Sequence, residues 1–270
     1  MDQEMELSRK TELGGKLKNV LNGRTLDASC PRLAGLLKPG MRILDAGCGT
    51  GAITRGIAEA VGPSGRVLGL DSHAGLIADA IARHGDAPGL SFATADVYSV
   101  PADAAYDIVF ASRLLIWLEN PERAIRSLAA AVRPGGRVVI ADYNHDKIEW
   151  SPSPPDSMRR FYAAYLQWRT DAGLHNGIAD RLAELMAGAG LEAVEIFPQH
   201  ERALRGQPDF VARASIWADT AASRGPQMAR DGYATTASWE RAETEYRRWC
   251  AEEAESMTMY MLSVEGTRRE

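Results

Sequence analysis

An apolar run, Ile43-Leu44-Asp45-Ala46, passes directly into Gly47-Cys48-Gly49-Thr50-Gly51, and then into a helical pattern with Ile53, Ile57, Ala58 and Val61 on one face. Glycines are needed where a backbone turns sharply and where a ligand must come close to it, because a Cβ would obstruct both. The strand, turn and helix therefore read as a cradle for a nucleotide-like ligand. β-rich runs at 42–46, 66–70, 90–95, 106–112 and 137–142 alternate with helical patterns, which predicts an α/β fold with a mostly parallel sheet. The helix ends are readable. Gly62-Pro63 stops the first helix, the second follows Asp71-Ser72 and ends at Gly85, and Asn120-Pro121 opens the third, which Pro134-Gly135-Gly136 breaks.

Beyond Asp142 the pattern changes. Ser151-Pro152-Ser153-Pro154-Pro155 is too rich in proline for a helix or a central strand and reads as an extended connection. Helices are expected over 156–172 and 178–189, a strand over 192–197, helices around 210–224 and 238–255, and a last strand over 257–265. The expected organisation is one domain: an N-terminal helical cap (1–22), a cofactor-binding core (23–145), and helical lid insertions (146–176 and 201–255) whose flanking strands complete the sheet.

The glycine spacing by itself satisfies G-x-G-x-x-A, which serves both NAD and S-adenosylmethionine. Asp45 separates them. A carboxylate two residues before the first glycine repels a pyrophosphate, at roughly 4 kcal/mol per pair of unit charges about 4 Å apart. It attracts S-adenosylmethionine, which carries an ammonium and a sulfonium. The absence of Lys-Ser or Lys-Thr after the glycines excludes a triphosphate P-loop. Two further acids end strands. Asp71, beside Ser72, is placed to accept the ribose hydroxyls, and Asp96, beside Val97, the adenine amino group.

These residues resemble the class I S-adenosylmethionine-dependent methyltransferase family. The glycine loop with Asp45, the acids Asp71 and Asp96, the strand Tyr106-Asp107-Ile108-Val109-Phe110 and the turn Arg133-Pro134-Gly135-Gly136 match it in order. Arg24-Thr25 with Leu37-Lys38-Pro39-Gly40-Met41 is similar to the ubiquinone and menaquinone biosynthesis methyltransferases. The resemblance implies a Rossmann-like, doubly wound, seven-stranded sheet whose last two strands form an antiparallel hairpin. It also implies Arg24 against the cofactor carboxylate. The cofactor-binding set is then Arg24, Asp45, Gly47, Cys48, Gly49, Gly51, Asp71, Ser72, Asp96, Val97 and Ser112, the last bordering the methionine portion at the carboxyl edge of the sheet.

Methyl transfer requires positioning rather than a covalent intermediate, with an optional base. His145, directly after the fifth strand, is the candidate base. Trp150, Phe161, Tyr162, Tyr165 and Trp168 read either as a substrate-facing wall or as a core-facing helical stripe. Asp142, Asn144 and Asp146 alternate as in a calcium loop, but Lys147 and Ser153 stand where that loop needs glycine and glutamate, so no metal is expected. Cys30, Cys48 and Cys250 stand far apart and form no C-x-x-C pair.

A net charge of -5 with scattered basic residues argues against nucleic acid, and no apolar run reaches the roughly 20 residues of a membrane span. The expectation is a cytoplasmic enzyme that methylates a small organic acceptor. Two alternatives stay open: an NAD-dependent oxidoreductase on the same fold, and a non-catalytic S-adenosylmethionine-binding protein.

Overall fold

The computed structural model describes residues 21–101 and 106–270, so most of the expected N-terminal cap lies outside the described residues. The chain divides into two compact units. Among the described residues, one takes in 21–143, 178–199 and 261–270, and the other 144–177 and 200–260.

The first unit opens with two single-turn helices, α1 (Leu26–Ser29) and α2 (Pro31–Ala34). It continues through β1 (Arg42–Ala46), α3 (Ala52–Val61), β2 (Arg66–Asp71), α4 (Ala74–His84), β3 (Leu90–Thr94), β4 (Tyr106–Ser112), α5 (Pro121–Ala131) and β5 (Val132–Tyr143). After α6 (Asp156–Asp171) of the second unit come α7 (Ile178–Gly188) and β7 (Leu191–Pro198), and the chain closes with β10 (Met261–Arg268). The seven strands lie in the order β3-β2-β1-β4-β5-β10-β7, the first five parallel and β10 antiparallel to both neighbours. The expected sheet is present, and its last two strands pair antiparallel with a long excursion of chain between them.

Four of the five residues of β1 are buried, as in a strand covered on both faces. Ile43, Ile57, Val61, Val67, Ile108, Phe110 and Val139 form one continuous core beside it. Asn120 caps α5 through a hydrogen bond from Arg123 N–H, with Pro121 in the first turn. α4 follows Asp71-Ser72 as expected, and His73 caps it, its Nδ1 accepting from Leu76 N–H at 3.2 Å.

The second unit contains a three-stranded antiparallel sheet, β6-β9-β8, made from β6 (Glu149–Ser151), β8 (Glu201–Leu204) and β9 (Ser256–Met259). Its helices are α6, α8 (Phe210–Ala214), α9 (Ile216–Arg230) and α10 (Thr236–Glu252). The single strand expected over 257–265 is therefore two. Met257-Thr258-Met259-Tyr260-Met261-Leu262 carries no turn residue, and the break at Tyr260 comes only from a change of pairing partners. No helix of the described residues is long and apolar enough to cross a membrane.

Candidate cofactor site

The glycine loop is folded over the end of β2: Gly47 N–H and Cys48 N–H both donate to Leu70 O, at 2.7 and 2.9 Å. Gly47, Gly49 and Gly51 all have positive φ, 76°, 55° and 76°, which L side chains rarely adopt. Space distinguishes them. A Cβ on Gly47 would lie 2.9 Å from Leu114 Cδ1, and one on Gly51 2.7 Å from Phe92 Cζ. At Gly49 the nearest atom would be Leu21 Cδ1 at 3.5 Å, so this peptide keeps an open side.

Asp45 ends β1 with 3% of its surface exposed, its Oδ2 accepting a 2.7 Å hydrogen bond from Thr54 Oγ1 on α3. Burial pushes its carboxyl up to about 7, with the Thr54 hydrogen bond opposing and the Asp71 charge adding. The charge that the sequence suggested is thus held at a cost in the absence of a cation. Asp71 serves the loop as well as any ligand: its Oδ2 accepts from Gly49 N–H and its Oδ1 from His73 N–H, each at 2.9 Å. Two carboxylate oxygens offer about four lone-pair sites, so acceptor capacity remains on both.

One cavity brings together Arg24, Asp45, Gly47, Cys48, Gly49 and Ser112 of the expected set. Gly51, Asp71, Ser72, Asp96 and Val97 are not in its wall. Ser72 is exposed, and exposed Asp96 accepts from Tyr98 N–H at 2.9 Å, capping the turn that Val97 begins. Leu21, Thr50, Ala52, Ile53 and Phe110 complete the wall, and the sequence does not single them out as cofactor-binding. Ile53 falls on the helical stripe and Phe110 inside a strand pattern, so periodicity assigns both to the core. The hydroxyl of Thr50, a residue 1% exposed, has no hydrogen-bond partner among the described residues, a polar atom left open within the wall. Burial, with Asp45 and Asp71 beside it, holds the Cys48 thiol far above its ordinary range, which keeps it protonated and unsuited to nucleophilic attack.

His145 lies in the aromatic core of the second unit, 5% exposed, its ring 5.5 Å from that of Trp217 and edge-on to it. Its carbonyl accepts a 2.6 Å hydrogen bond from Tyr162 Oη. Burial first, then the Arg169 charge, holds its imidazole well below the usual range and hence neutral. A side chain enclosed in this way contributes to the packing of that core. The aromatic stripe resolves the same way. Phe161, Tyr162, Tyr165 and Trp168 are buried, Tyr162 and Tyr165 stand against Trp217 at 4.5 and 5.8 Å, and Trp150 Nε1 donates to Tyr246 Oη. Among the described residues no group of acidic, histidine or cysteine side chains could hold a metal ion.

The open α/β sheet, the glycine loop at the carboxyl end of β1 and the buried acid define a Rossmann-like domain that binds a nucleoside cofactor. Comparison with known proteins narrows this. A family model described as a methyltransferase domain matches residues 43–136. The arsenite methyltransferase of Halobacterium salinarum is 29% identical over 213 residues, 73% of this chain and 50% of that protein. The 2-phytyl-1,4-naphtoquinone methyltransferase of Thermosynechococcus vestitus is 29% identical over 180 residues, 60% of this chain and 77% of that protein. A solved structure from Bacillus halodurans shares the fold, with a TM-score of 0.57 at 16% identity over 95% of this chain and all of that one. The matched segment is a class I S-adenosylmethionine-dependent methyltransferase domain. The chain spans about half, or less, of the length of several curated relatives it matches.

Proposed function

We propose that the chain catalyses transfer of a methyl group from S-adenosylmethionine to a small organic acceptor, in the cytoplasm. The observation that carries this reading is that one cavity is lined by both a buried acid, Asp45, and a cationic residue, Arg24, around an open glycine peptide and a Thr50 hydroxyl with no partner among the described residues. A zwitterion fits such a wall. Its ammonium relieves the charge that burial penalises at Asp45, and its carboxylate meets Arg24. A dinucleotide would instead bring pyrophosphate toward Asp45. The bound cofactor supplies an electrophilic methyl on a sulfonium. The protein's part is to fix the amino acid end through Asp45, Arg24 and the Gly49 peptide, and the ribose through the remaining lone pairs of Asp71. Alignment of acceptor and methyl at about 3 Å then provides the rate without a nucleophilic side chain.

Calorimetry with S-adenosylmethionine and with NAD tests the reading: binding of the sulfonium compound alone supports it, and binding of NAD alone overturns it. Formation of S-adenosylhomocysteine on incubation with a fractionated small-molecule extract tests turnover.

The doubly engaged Asp71 gives a sharper expectation. Asp71→Asn should weaken cofactor binding about as much as Asp71→Ala, by roughly 10- to 100-fold. The amide would turn an N–H toward either Gly49 N–H or His73 N–H, so the near-isosteric change loses the loop as well as the ribose contact. Titration of both variants by calorimetry checks this, and wild-type affinity in Asp71→Asn would remove Asp71 from the site.

A further inference from the structure

Ser112 and Arg113 are adjacent at the end of β4, yet Arg113 Nη1 donates a 2.6 Å hydrogen bond to Ser112 Oγ. Successive side chains of a strand point to opposite faces, so such a contact requires a break in the strand geometry. Arg113 supplies it with a φ of 56°, one of only two positive values among the described non-glycine residues. The guanidinium is fixed on other sides too. Nε donates to Tyr143 Oη at 2.8 Å and Nη2 to Ser29 O at 3.3 Å, and the residue is 6% exposed. Its backbone N–H donates to Ala141 O at 2.7 Å.

A serine hydroxyl has one proton to donate and two lone pairs to accept with. Guanidinium only donates, so Arg113 occupies one lone pair of Ser112. The thiol of buried Cys30, kept protonated by burial, donates weakly into the other from 3.9 Å. The hydroxyl proton is what remains, at a residue lining the cofactor cavity.

We infer that Arg113 is a positioning residue that makes Ser112 an obligate hydrogen-bond donor toward the carboxylate of the cofactor's amino acid end. This rests on the proposed cofactor and deepens it. It accounts for a strained backbone at a non-glycine residue: the left-handed turn folds the guanidinium back onto the one hydroxyl of the cavity wall that comes from β4. It also gives Ser112 a part in cofactor choice, since an acceptor-bearing ligand is rewarded and one lacking the carboxylate leaves the hydroxyl proton unmet.

Calorimetric affinities for S-adenosylmethionine and decarboxylated S-adenosylmethionine, compared as a ratio, test this. The wild-type chain should prefer the carboxylate-bearing compound. Ser112→Ala should shrink that preference about tenfold, and Arg113→Met should do so to a similar extent. The double variant should lose no more than either alone, because both act through one hydroxyl. A role in packing alone would weaken both compounds equally, so an unchanged ratio in Ser112→Ala overturns the inference even if Arg113→Met fails to fold. Failure of the wild-type chain to bind either compound overturns the cofactor assignment itself, a distinct result that takes this inference with it.

Discussion

Asp45→Asn is expected to move the stability of the ligand-free chain at pH 8 and its affinity for S-adenosylmethionine in opposite directions. The native carboxyl titrates near 7 against 3.8 for an unperturbed one, chiefly because it is buried. Between those values the folded chain holds a proton that the unfolded chain has released. Stability from this group is therefore complete below pH 3.8 and falls as pH rises toward 7. From pH 5 to pH 8 the loss is about 3 kcal/mol. Asparagine keeps an acceptor for Thr54 Oγ1 but buries amide protons, costing about 1–3 kcal/mol at every pH. The variant should thus lie within about 1–2 kcal/mol of wild type at pH 5 and be more stable at pH 8, with a flatter plot of Tm against pH. Thermal denaturation across that range checks it, and parallel plots would show that Asp45 does not titrate as its burial requires. In binding, loss of the buried charge opposite the ammonium should cost about 100-fold in affinity. Wild type should also release a proton on binding at pH 6–7, seen as a dependence of the calorimetric heat on the buffer; the variant should not.

That expectation shows how the sequence speaks and where it stops. Asp45 is legible because a charged residue between an apolar strand and a glycine loop has no reason in packing. Its burial and its bond to Thr54 are not, since nine residues and a change of secondary structure separate the two. The main sheet is legible because buried parallel strands read as continuous apolar runs between helical stripes, as at Tyr106–Ser112. The small sheet is not. β6 and β8 are three and four residues long, too short to show an alternation, and they pair only with β9. His145 illustrates a different limit. A histidine just past a strand end suits a base, but nothing local reveals that Trp217, Tyr162 and Arg169 will enclose it. Arg113 carries its role in a backbone angle, which no residue pattern records at a non-glycine position.

The largest loss of stability is expected where the N-terminal wall of the cofactor cavity is tied to the sheet. Glu265 on β10 is 2% exposed and accepts from Arg32 Nε and Nη2, at 2.9 and 2.6 Å, and from Arg137 Nη1 at 2.8 Å. The partners are unequal in burial: the Arg32 and Arg137 side chains are 32% and 44% exposed against 3% for Glu265. Removing the acid leaves two cations that can turn to water. Removing the cations strands a carboxylate in the interior, and an uncompensated buried charge is what makes a broken pair costly. Arg32→Met with Arg137→Met should therefore lose about 3–5 kcal/mol, more than Glu265→Met, which forfeits three charge-assisted bonds and regains apolar packing. Urea denaturation of the three chains gives the order directly, and an equal or reversed order would mean that the burial of Glu265 does not govern the cluster. Arg32 lies on α2, in the segment that brings Leu21 and Arg24 to the cavity, and its guanidinium stacks 3.9 Å over Phe197. The single variant Arg32→Met should consequently weaken cofactor affinity further than Arg137→Met at matched stability, because only the first releases the wall from the sheet.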